Sequence, residues 1–177
     1  MQNYSKIVIL IIVILSLTGI DQFTKSIAKE RLQFSPPSEY IGGVVQLQYA
    51  ENEGGFLSFG ADMPLIIRQT VTIVLTFVLV GGLFVLLTYS NKVYWGDLIS
   101  YALLISGGAG NLIDRLFNGG KVIDFLVVGT EKIHTGIFNV ADFFLMTGLA
   151  VLLLNQFFHS RNSSQQAPPD TQKNAEQ

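Results

Sequence analysis

Hydrophobic and polar positions fall in long blocks along this chain rather than in short periods. Ile7–Ile20, Gln69–Asn91, Leu98–Ile113 and Phe143–Ser160 contain no Asp, Glu, Lys or Arg. About 20 residues of helix cross a hydrocarbon core of roughly 30 Å. The blocks therefore predict four transmembrane helices, at about 7–25, 67–89, 97–113 and 139–158. Four crossings put both termini on one side and two connections, about 26–66 and 116–137, on the other. In the first connection Val45, Leu47 and Tyr49 alternate with Gln46 and Gln48, the period of a half-buried strand. Val122–Val128 in the second also has strand composition. The expected fold is an α-helical membrane domain over residues 1–160, with a small β-sheet forming a cradle at the interface. Met63–Ile67 is expected to form a short interfacial helix before the second crossing.

The ends of the chain have their own patterns. Lys6 followed by Ile7–Leu17 has the outline of a signal peptide, but Thr18-Gly19-Ile20-Asp21-Gln22 offers no small-x-small cleavage site. A retained first helix is the expectation. Residues 161–177 are polar, Pro-containing and almost free of apolar side chains, and are expected to be disordered.

Composition sharpens the class. Of 177 residues, 49% are hydrophobic and only 14% charged, against about 25% charge in soluble domains. A surface so poor in charge cannot be solvated all round. The formal net charge of −2 has no basic run behind it, which argues against a nucleic-acid partner. The absence of Cys excludes disulfides, thiol catalysis and thiolate metal sites. Orientation is ambiguous from charge. Lys6, Lys92, Arg161 and Lys173 lie on the side of the termini, and Lys25, Lys29, Arg31, Arg68, Arg115, Lys121 and Lys132 lie opposite. Counted raw, this places the two connections in the cytoplasm, although several of those cations neighbour Asp or Glu.

Three Asp-containing clusters, Asn111–Arg115, Val122–Phe125 and Phe138–Asp142, two of them with Asn, stand out against the apolar background. A charge at membrane depth costs roughly 2.5–3.5 kcal/mol on insertion scales, so carboxylates kept there point to use. Asn139-Val140-Ala141-Asp142 opens the fourth helix. One reading is an N-cap with an acid in the first turn; the other is an Asp142 that points into the bundle as an active carboxylate. Asp124, in Val122-Ile123-Asp124-Phe125-Leu126, is either a strand residue facing water or a desolvated acid with a raised pKa. Two Asp side chains sharing one proton can hydrolyse a peptide, the ionised one deprotonating water and the neutral one polarising the carbonyl. Ser106-Gly107-Gly108-Ala109-Gly110-Asn111 either permits close helix packing or leaves room for substrate beside Asn111. Asp114-Arg115 reads as an interfacial ion pair, and Asp21, Gln22 and Lys25, with Asp21 and Lys25 an i,i+4 pair, read as structural or headgroup-facing rather than catalytic.

Competing chemistries lack their motifs. His134 and His159 share no metal-ligand spacing, and neither H-E-x-x-H nor Gly-x-Ser-x-Gly occurs. A presenilin-type protease would need Gly-x-Gly-Asp, where this chain has Gly108-Ala109-Gly110-Asn111. A transporter using the same Asp residues as a proton relay is the alternative from another class. It predicts flux without cleavage.

In order, Asp21-Gln22-Phe23-Thr24-Lys25, Asn52-Glu53-Gly54-Gly55-Phe56, Gly107–Asn111 with Asp114-Arg115, Val122–Phe125 and Phe138–Asp142 resemble the motifs of the bacterial lipoprotein signal peptidases (signal peptidase II). The resemblance runs over about residues 5–158. It implies an inner-membrane aspartyl endopeptidase with four transmembrane helices, cytoplasmic termini and a site on the extracytoplasmic side. The implied substrate is a prolipoprotein with a diacylglyceryl-modified Cys, cut just before that Cys. By motif, the implied catalytic pair is Asp124 and Asp142. Asn52, Gly54, Asn111, Arg115 and Asn139 would line the site, Asp114 stands beside them, and Asp21 and Lys25 would support the first helix. The resemblance further implies a monomer among membrane lipids, no metal or cofactor, and sensitivity to globomycin-type inhibitors. Gly55-Phe56-Leu57 departs from the family's usual Ala-Ala-aromatic.

Overall fold

A computed structural model describes residues 2–54, 63–89, 95–130 and 132–165. The elements run α1 (Gln2–Leu32), β1 (Ser38–Tyr40), β2 (Val45–Asn52), α2 (Leu65–Tyr89), α3 (Trp95–Phe117), β3 (Val122–Thr130), β4 (Ile133–His134) and α4 (Val140–Gln165). As far as it is described, each apolar block falls within one helix, the form in which a segment in lipid satisfies its backbone polar groups internally. Among the described residues three stretches, Ser5–Leu32, Leu65–Leu87 and Val140–His159, are long and apolar enough to cross a membrane, one fewer than the four expected. The outward side chains of α1, among them Val8, Ile12, Leu15 and Phe23, are exposed. Such a surface suits lipid and not water.

The helix ends correct the expected boundaries. α1 continues to Leu32, past the expected end at 25, because Lys29 and Arg31 lie in its last turn, where cations complement the helix dipole. Residues 65–67 are the first turn of α2 rather than a separate interfacial helix. α4 extends to Gln165, so residues 161–165 are helical rather than disordered, and 166–177 lie outside the described residues. The Asn52–Gly60 loop is described only as far as Gly54.

α3 is the central helix and packs against α1, α2 and α4. Its glycines divide the task. A Cβ on Gly107 would strike the Ala141 carbonyl and Leu145 of α4. On Gly108 it would strike Val80 of α2, and on Gly110 the Asp21 carboxylate of α1. Three neighbours thus approach one helix through three adjacent gaps. At one end of the bundle Leu10, Leu87, Ala102 and Ile105 form a buried apolar cluster. The inward stripe of α1 then changes character, from Leu10 to Asp21, Lys25 and Ala28, all buried.

The four strands make one antiparallel sheet in the order β1-β2-β3-β4. The β1–β2 turn carries Ile41, Gly42 and Gly43 at φ of 54°, 65° and 85°. These left-handed angles are easy for the two glycines. Within β2 every residue is half-buried, so the expected two-residue alternation is not expressed. The register slips between Leu47 and Ala50, a bulge-type irregularity that breaks the alternation between faces. Beyond the slip, Ala50 pairs with Asp124 and Asn52 with Val122. After β4 the chain doubles back, and Phe138 bridges to Leu126 as it enters α4.

Candidate active site

Asp124 on β3 and Asp142 on α4 converge on Asn139. The Asn139 side-chain amide donates to Asp124 Oδ1 at 2.6 Å, and its backbone N–H donates to Asp142 Oδ2 at 3.2 Å. Asn139 Oδ1 in turn accepts the Asp142 N–H at 2.9 Å. Asn139 and Asp142 therefore form a reciprocal capping box at the start of α4. The capping reading is met, and the cap is what turns Asp142 toward Asn139. The Asn139 amide also reaches the Ile123 carbonyl and Asn111 Oδ1, each at 3.2 Å.

The two carboxylates have unequal surroundings. Asp142 Oδ1 accepts from Asn111 Nδ2 at 2.9 Å and stands in the first turn of a helix, where the dipole favours an anion. Asp124 is only 2% exposed, which corrects the reading of a strand residue facing water. Burial first, and then the charge of Asp142, push its pKa from 3.8 to about 7. Hydrogen bonds from Asn52, at 3.1 Å to Oδ2, and from Asn139 oppose the rise. One acid therefore holds its proton near neutrality beside a carboxylate provided with donors.

Asn52, Gly54 and Arg115 close another side. Asn52 Oδ1 accepts the Gly54 N–H at 2.9 Å, and Arg115 Nη2 donates to the Gly54 carbonyl at 3.1 Å. Arg115 Nη1 donates to the Asn111 carbonyl, and Nε is buried with no hydrogen-bond partner among the described residues. Asp114 does not pair with its neighbour Arg115. It lies one turn of α3 above Gly110, and its ion pair is with Lys25 at 2.9 Å.

Asp21 and Lys25 are 0% and 1% exposed, which excludes the headgroup-facing reading. Their 2.9 Å ion pair lies inside the bundle, where the Asp21 carboxylate fills the gap at Gly110. The sequence pattern groups Gln22 with Asp21 and Lys25 as structural but gives neither its partners nor a second support on the sheet. Gln22 donates to Asp21, to the Gly110 carbonyl and to Asp114. It is uncharged, and only its place between Asp21 and Lys25 hinted at this. A ladder on the sheet joins Tyr49, Glu51, Lys121, Glu53 and Arg68 through contacts of 2.6–3.3 Å. Burial and Glu51 push the Tyr49 hydroxyl up to about 12, and hydrogen bonds to Tyr49 and Lys121 lower Glu51. The ladder holds the residues on either side of Asn52; Tyr49, Glu51 and Glu53 are close in sequence, but their partners Arg68 and Lys121 lie too far along the chain for the set to be read.

The site thus holds two unequal aspartates, Asp124 buried and Asp142 half-buried, among long apolar helices. The family model for signal peptidase (SPase) II matches residues 11–158. The lipoprotein signal peptidase of Streptococcus agalactiae serotype Ia is 36% identical over 149 residues, covering 84% of this chain and 91% of that protein. Its counterpart in Streptococcus pneumoniae is 32% identical over 146 residues, covering 82% and 90%. That of Chlorobium phaeovibrioides is 34% identical over 150 residues, covering 80% and 85%. Two solved structures described as bacterial membrane enzymes share the fold. One has a TM-score of 0.74 at 21% identity, covering 91% of this chain and 93% of the other. The second has a TM-score of 0.71 at 23% identity, covering 83% and 91%. The chain belongs to the signal peptidase II family, membrane aspartic proteases that remove signal peptides from prolipoproteins.

Proposed function

We propose that Asp124 and Asp142 are the catalytic pair and that the protein cuts diacylglyceryl-modified prolipoproteins just before the lipidated Cys. The observation that carries this reading is the shared Asn139, which hydrogen-bonds both side chains, 2.6 Å to one and 3.2 Å to the other. Asp142, ionised, takes a proton from water as it attacks the scissile carbonyl. Asp124, protonated, donates to the carbonyl oxygen. The resulting diol collapses as a proton passes to the leaving amine, and no charge need leave the site. Arg115, Asn111 and Asn52 supply donors around the pair, and the Gly54 backbone lies beside them to align a substrate strand.

A lipidated substrate reaches such a site sideways from the bilayer, so α3 is read as the fourth crossing. Its 23 residues span roughly 34 Å at the helical rise, and its polar side chains face the other helices rather than lipid. On this reading the termini are cytoplasmic, the sheet lies on the extracytoplasmic face of the inner membrane, the enzyme acts as a monomer and globomycin-type inhibitors occupy the site. The test is turnover of a diacylglyceryl-modified substrate by purified Asp124→Asn and Asp142→Asn variants. Loss of cleavage in both is expected, and normal turnover by either would rule out the pair.

A further inference from the structure

The ammonium of Lys25 has three hydrogens and three acceptors. It meets Asp21 Oδ2 and Asp114 Oδ2 at 2.9 Å each, and Asn111 Oδ1 at 3.0 Å. Each acceptor continues to one of the two aspartates described above. Asp21 Oδ1 accepts the N–H of Ala141, the residue before Asp142, at 2.8 Å. Asp114 Oδ2 accepts the N–H of Ile123, the residue before Asp124, at 3.0 Å. Asn111, its oxygen held by Lys25, turns its NH2 group to Asp142 at 2.9 Å. A flipped Asn111 amide would point NH2 at an ammonium and oxygen at a carboxylate, two repulsions at once.

We propose that Lys25 is a positioning residue, one ammonium on α1 that sets the spacing of the aspartate pair through the backbones of Ala141 and Ile123 and fixes the Asn111 amide in its donating orientation. The inference rests on the Asp124–Asp142 reading. A purely structural role explains the cluster poorly, because replacing a buried ion pair by apolar side chains is often neutral or stabilising. The placement of both carboxylates, each on the amide just before a catalytic residue, is what an alignment device requires. Among the described residues Lys25 makes no hydrogen bond or ion pair with either catalytic side chain, so it positions them through its three partners, while its charge also reaches Asp124.

The test compares the Lys25→Met variant with a double variant, Lys25→Met with Asp21→Asn. The double change keeps the formal charge of the cluster at minus one, as in the natural trio. It still removes the ammonium from Asn111 and Asp114. The thermal midpoint of each variant in detergent is measured first, then kcat, KM and the pH profile on a lipid-modified substrate. The double variant is expected to fold and to lose about 100-fold in kcat with little change in KM, the size of a misplacement near 1 Å. Its alkaline limb is expected to move to higher pH. Around Asp124 stand Asp142, Asn52, Asn139 and Arg115, and Lys25 is the cation among its neighbours that the variant removes. A folded double variant with natural kcat, or with reduced kcat and an unmoved pH limb, would overturn the proposal. So would failure of both variants to fold, which would leave Lys25 a folding residue only. Asp124→Asn and Asp142→Asn run alongside, so that failure of the pair itself is seen independently of Lys25.

Discussion

Replacing Asn52 by alanine removes the amide that donates to Asp124 Oδ2 at 3.1 Å. That bond favours the ionised carboxylate, so its loss raises the Asp124 pKa above the value of about 7 that burial and Asp142 give it. A hydrogen bond to a charged group is worth about 1.5–3 kcal/mol net, and one pKa unit is about 1.36 kcal/mol. The limb that reports Asp124 should therefore move up by roughly 1–2 units, and by less if water enters the space vacated. The proposed mechanism requires Asp124 protonated, so kcat/KM of the natural enzyme is expected to fall as pH rises past about 7. In the variant the fall begins later. Initial rates on a lipid-modified peptide in detergent, from about pH 5.5 to about 9.5, would resolve it. A limb that stays in place, or moves to lower pH, would refute both the bond and the assignment of Asp124 as the acid. The same raised pKa has a stability consequence. The contribution of Asp124 is fully present below its ordinary value of 3.8 and is lost as pH rises through about 7.

Other perturbations probe the supports. Asn139→Ala should abolish cleavage and lower stability by about 1–2 kcal/mol for the lost cap alone, read as a fall in the thermal midpoint; natural activity would contradict the shared-amide geometry. Gly110→Ala forces a methyl into the Asp21 carboxylate. It should cost about 1–3 kcal/mol as overpacking and reduce kcat, whereas a neutral outcome in thermal unfolding and turnover would mean that α1 is not tightly seated.

Much of this arrangement was legible in the sequence because bilayer physics makes it so. Long charge-free runs leave helix as the usual outcome, and polar residues retained near their ends announce the site. Asn139 and Asp142, three residues apart at a helix start, could be read as a cap without any tertiary knowledge. The fate of Asp21 and Lys25 could not. An i,i+4 pair has the same spacing on a surface as in a core, and the groups that bury this one, Asn111 and Asp114, are 86 and 89 residues beyond Lys25. The glycine run announced close packing, but not that each glycine faces a different helix. The slip in β2 also erased the alternation by which its faces would have been recognised. Charge ended the expected first helix too early, since the chain uses Lys29 and Arg31 as favourable last-turn residues.

The two acids lie on one short segment, 18 residues apart along the chain, from Asp124 to Asp142. Their bracing comes from α1, and Asp21 reaches Ala141 across 120 residues. During synthesis α1 precedes the segment bearing both acids, so the brace is made before what it braces. If the pair is catalytic as proposed, a chain whose first helix has not docked lacks this brace, and hydrolysis would wait for the assembled bundle.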